Sequence, residues 1–155
     1  MATFTASGTT PAALANGNAI ASIVPGAAAN FKVIKVEAFA VNAGGAISDY
    51  EILIGINRAT ARGTQTATAT VNRSDPNSGG SQITGVDTAW SVQPTLAATD
   101  GWLKGYNSHG GIIDNVDQTQ VISTVGLANP LVLVNRSGAA LPANQQISWT
   151  VTWVE

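Results

Sequence analysis

The chain contains no cysteine. Disulfide staples, zinc–thiolate sites and thiol nucleophiles are therefore excluded. Charge is nearly as scarce. Asp, Glu, Lys and Arg make up 10% of the 155 residues, with a formal net charge of −2. An ordinary soluble domain carries about 25%. Nucleic-acid binding needs clustered cations to displace counterions from phosphate. Seven Lys and Arg, scattered singly, do not supply them. Long apolar runs are missing too. No stretch approaches the roughly 18 apolar residues of a membrane helix, so no membrane partner is expected. Residues 1–31 hold no Lys or Arg, so no positively charged start of a signal peptide is expected either.

Catalytic constellations are equally thin. A Ser-His-Asp arrangement would have to use the one histidine, His109, which lies in a Gly-rich stretch. A nucleophile, an orienting acid and an oxyanion hole would have to join it. Nine carboxylates are scattered along the chain: Glu37, Asp49, Glu51, Asp75, Asp87, Asp100, Asp114, Asp117 and Glu155. Asp114, Asn115 and Asp117 could offer oxygens to calcium, but the spacing of an EF-hand loop is absent. Glycines never fall in phosphate-loop order. The expectation is a non-enzyme without cofactor or metal.

What is present is strand pattern. Residues 146–155 read QISWTVTWVE, with Ile147, Trp149, Val151 and Trp153 on one face and Ser148, Thr150 and Thr152 on the other. That alternation predicts a half-buried strand. Residues 31–42 (FKVIKVEAFAVN) are apolar on both faces, which predicts a central or covered strand. Further strands are expected at 19–24, 50–57, 64–71, 88–92, 101–106, 118–125 and 131–135, separated by Gly, Asn, Asp and Pro turns. Asn-Arg recurs at 57–58, 72–73 and 135–136, each time read as a strand exit. About eight short strands with no helical period predict an all-β, single-domain antiparallel sandwich, jelly-roll-like. Residues 1–30, uncharged and built of small side chains, read as an extended N-terminal arm with one short strand; residues 31–155 form the sandwich.

Two segments stand out as contact candidates. Thr3, Phe4 and Thr5 begin the arm, whose small residues let a backbone approach a foreign sheet edge. Residues 102–114 (WLKGYNSHGGIID) place Trp102, Tyr106, Asn107 and His109 near flexible glycines. Aromatic faces beside amides suit a protein or sugar ligand. The competing expectation is that Trp102 packs in the core, as large aromatics usually do.

The uncharged arm MATFTASGTTPAALANG, the core strand FKVIKVEAFAVN and the closing strand QISWTVTWVE together resemble the small capsid decoration (cement) proteins of tailed bacteriophages. The resemblance covers the whole chain in style and has no single motif. It implies a virion location, with the major capsid protein or other virion subunits as partners. It also implies a homo-oligomer, commonly a trimer at local threefold points, that stabilises the shell. A carbohydrate-binding or adhesin-like sandwich, such as a head fibre or tail-tip domain, is the alternative.

Overall fold

A computed structural model describes residues 2–27, 29–46, 49–116 and 129–155. Among them run twelve strands and no helix: β1 Thr3–Thr9, β2 Ala19–Pro25, β3 Lys32–Asn42, β4 Glu51–Ala61, β5 Thr64–Ala69, β6 Asn72–Arg73, β7 Ile83–Val92, β8 Thr95–Leu96, β9 Trp102–Asn107, β10 Gly111–Asn115, β11 Leu131–Asn135 and β12 Gln145–Val154. They form two antiparallel sheets. Sheet A has the order β10-β3-β12-β1-β6; sheet B has the order β5-β7-β2-β11-β4-β8, with β9 also on β4. The molecule is an all-β sandwich, as its turn-punctuated short strands predict. The strand expected at 118–125 lies outside the described residues.

The alternating faces build the core. Ile147, Trp149, Val151 and Trp153 of β12 are buried, and the intervening residues are half-buried. Trp149 and Val151 meet Ile23, Ile56, Val86, Leu131 and Leu133 from sheet B across a residual void of about 10 Å³, lined only by apolar side chains. A space that small and that apolar stays dry. β2 and β11 are buried on both sides, because a satellite cluster of Ala19, Ala59, Val132 and Val134, with Trp90 and Leu96, covers sheet B from outside.

The N-terminal segment is not an arm. Residues 3–9 form β1 and pair with β12 over seven positions, from Thr3↔Val154 to Thr9↔Ser148. Phe4 is fully buried and its ring stacks on Trp153, centroids 6.0 Å apart. Thr10 continues the tie: its N–H donates to the Ile147 carbonyl at 2.9 Å, and its Oγ1 accepts from the Ile147 N–H at 3.0 Å. Small residues permit this because they sit beside very large ones. A Cβ on Gly8 would come within 2.9 Å of the Trp149 ring.

β3 is apolar on two faces for a reason other than cover. Its pairing with β12 slips by one residue between Thr152 and Trp153. A bulge reverses which residues point inward. Val33 is therefore buried on the same side as Val36 and Ala38, while Phe39 is turned to solvent. The Asn-Arg echo is likewise three different things: Asn57 lies buried inside β4, Asn72 and Arg73 are β6, and Asn135 ends β11.

Candidate functional site

The 102–114 segment is two strands and a tight corner rather than a recognition loop. β9 pairs with β4 in sheet B, and β10 pairs with β3 in sheet A. Residues 108–110 carry the chain between the sheets. Trp102 is in the core, and its Nε1 donates to Asp114 Oδ2 at 2.7 Å. Tyr106 packs against the core with its hydroxyl enclosed and without an acceptor, and burial pushes the phenol up from its ordinary pKa. Asn107 turns the corner, its Oδ1 accepting the His109 N–H at 2.9 Å. His109 is exposed, with Nε2 at 3.3 Å from Asp49 Oδ1. Thr3 and Thr5 lie on β1, beyond β3 and β12 from β10. The structure thus does not gather these residues at one place, and Phe4 is unavailable to any partner. Asp114, engaged by Trp102 and 3.9 Å from Lys104 Nζ, is drawn away from its calcium role, and Asp117 lies outside the described residues.

The charged groups that are built in serve as ties. Asp87 is fully buried and takes both arms of the Arg62 fork at 2.9 Å. Asp100 receives the Arg136 fork at 2.8–3.2 Å and the Asn57 amide at 2.8 Å, above Gly55, where a Cβ would press on the Asp100 carboxyl. Bidentate geometry of this kind fixes strand exits. Among the described residues, Lys35, Arg62, Lys104 and Arg136 each have a carboxylate partner within the chain.

The surface left over is nearly neutral, and on sheet A it is ordered. The outward residues of β1 and β12 are Thr3, Thr5, Ser7 and Thr9 beside Val154, Thr152, Thr150 and Ser148. Seven of these eight carry a hydroxyl, repeated about every 6.7 Å along each strand and about 4.8 Å between strands. Next to this hydroxyl field lie Phe39 of β3 and Ile113 of β10, 43% and 60% exposed. They are near neighbours, because Phe39 is paired with Gly111, two residues before Ile113. A methyl group on Gly111 would collide with the Phe39 ring, so the glycine lets the ring lie across β10. The Lys35–Glu37 pair, 3.0 Å apart, borders the patch. Exposed apolar side chains beside a hydroxyl field, with one internally paired Lys and Glu between them, have the anatomy of an interaction site. The sequence carried the residues of this face, but only the bulge in β3 reveals that Phe39 points out.

A second feature is β5. Thr64 to Thr68 are all exposed, and the strand is an edge of sheet B. Natural edges are guarded by charge, proline or bulges. β5 has register shifts against β7, but TQTATA has neither charge nor proline. No protein family, curated protein or solved structure matches this chain.

Proposed function

We propose that the chain is a structural subunit of a virion, bound to the outside of a capsid shell as a decoration or cement protein and working without a reaction of its own. The observation that carries this reading is the outer face of sheet A, with Phe39 and Ile113 exposed beside a field of Thr and Ser hydroxyls. Docking such a face strips water from few charges, so little desolvation cost opposes the apolar gain. The resemblance of the chain to phage decoration proteins points the same way.

The test is cosedimentation with capsid shells assembled without this protein. Wild type is expected to saturate the shells and raise their disruption temperature. The double variant Phe39→Asp, Ile113→Asp places two charges in the contact centre. Central apolar anchors are worth about 2 kcal/mol or more each, so affinity should fall by roughly a hundredfold or more. Both sites are exposed, so the fold should persist. Wild type left in the supernatant, or a variant that binds as well, defeats the reading.

The same reading expects self-association, with a trimer as the oligomer, through the β5 edge, which carries neither charge nor proline. Thr66→Lys adds the charge that natural edges carry. Light scattering after size exclusion should show wild type as an oligomer and Thr66→Lys as a monomer, with superimposable melting of secondary structure. A monomeric wild type, or a variant that stays associated, removes β5 from the assembly.

A further inference from the structure

A cleft of about 300 Å³ opens between residues 11–15 and the end of β7, beside the satellite cluster outside sheet B. Its size is the lower end of the range for small-ligand sites. No charged side chain lines it. Ala13, Leu14 and the indole of Trp90 supply apolar wall; Asn18, Thr88 and Gln93 supply polar groups. This mixture, mostly apolar with a few hydrogen-bonding side chains, is the ordinary makeup of a binding pocket.

One wall of the cleft is tied by hydrogen bonds and the other is held by packing. The Leu14 carbonyl accepts from Asn135 Nδ2 and from the Leu141 N–H, both at 2.9 Å, and the Ala15 carbonyl accepts from Asn135 Nδ2 at 3.2 Å. Ala13 is held at φ +56°, a left-handed conformation rare outside glycine. Such residues persist only where their surroundings fix them. Opposite, Trp90 Nε1 is enclosed and has no acceptor, whereas Trp102 and Trp153 donate at 2.7 and 2.9 Å. Packing against the satellite cluster positions the Trp90 indole, and its N–H has no partner within the chain. Gln93 already accepts from the Ala19 N–H through Oε1 at 2.9 Å. What it has left to offer is the donor end of its amide.

These features select a ligand class. An ionic ligand would lose its hydration without a counter-charge. A wholly apolar one would leave the amides and the hydroxyl unpaired. We propose that the cleft binds a single neutral hexopyranose unit, its C–H face against Trp90 and its hydroxyls on Asn18, Thr88 and Gln93. A pyranose ring offers an apolar face and a hydroxyl rim together. None of the residues that line the cleft belongs to the docking face of sheet A. The two proposals therefore stand or fall separately.

The experiment is a titration of the ¹⁵N-labelled full chain with the methyl glycosides of glucose, galactose, mannose and N-acetylglucosamine, and with a proline-rich peptide, followed by NMR. The expected result is a saturable shift of the Trp90 indole N–H and of backbone amides in residues 12–19 and 88–93 with at least one glycoside, at millimolar affinity. Asn18→Ala should weaken that binding about tenfold, the scale of one lost hydrogen bond. Its side chain holds no strand in place, so the spectrum outside the cleft should not change. Gln93→Ala is the second variant, with the same expected loss. The proposal is overturned if no glycoside shifts these signals, if both variants bind as wild type does, or if the peptide saturates the cleft and the sugars do not.

Discussion

A chain lacking residues 2–10 is expected to show no cooperative thermal transition. If those residues were a free arm, their removal would leave the melting curve where it was. In the sandwich they are an interior strand of sheet A. Deletion takes away Phe4, which has no exposed surface, and Ala6. It also takes both Thr10 bonds to Ile147 and the mutual backbone pair of Ala2 and Glu155, each bond 3.0 Å. Loss of the Phe4 side chain alone costs about 3–5 kcal/mol. Stripping β12 of one partner strand exposes Trp149 and Trp153 as well. A domain's whole stability is only about 5–15 kcal/mol. Circular dichroism and calorimetry on the truncated chain check this. A sharp transition within a few degrees of wild type would show that β1 is dispensable.

Trp153→Ala is expected to lower stability by about 3–5 kcal/mol, at the upper end of that range. Trp153 is fully buried, stacks on Phe4 with the planes 21° apart, and donates through Nε1 to Glu155 Oε1 at 2.9 Å. The ring pair adds about 0.5–1.5 kcal/mol beyond area burial. For a chain of this size the melting temperature should drop by roughly 6–20 °C. Trp149→Ala, two inward positions away on the same strand, belongs to the same class. Denaturant titration of both variants gives the numbers, and a change below about 1 kcal/mol for Trp153 would contradict its place in the core.

These two results bear on what a sequence can disclose. β12 was plain, because four large apolar residues alternate with small polar ones. β1 was hidden by the same contact that holds it. Gly8 weakens the strand signal, yet it is glycine because the Trp149 ring of the paired strand occupies the space of a side chain. β10 was hidden in the same way: Gly111 reads as loop, and the Phe39 ring lies over it. β6 and β8, at two residues each, are too short for any periodicity to register. The candidate face failed to show for a further reason. A strand pattern assigns sides only while the register is regular, and the bulge at Thr152 and Trp153 sends Val33 in and Phe39 out. Composition did point to a surface poor in charge, and the internal pairing of four cations reduces its ionic character further.

β12 follows every other strand in the chain, yet it is the middle strand of sheet A, flanked by β3 on one side and β1 on the other. During synthesis β1 must wait, unpaired on that side, until β12 has been made. Its partner lies some 140 residues away, so closing the sheet is a slow, long-range event. Until then the apolar faces of β1 and β3 are exposed to other nascent copies, the condition under which β proteins aggregate. Chains cut short before β12 lack the strand that joins β1 to β3 in sheet A. Closure of sheet A is thus tied to the making of β12, and a crowded, highly expressing cell would favour slow synthesis or a chaperone at that moment.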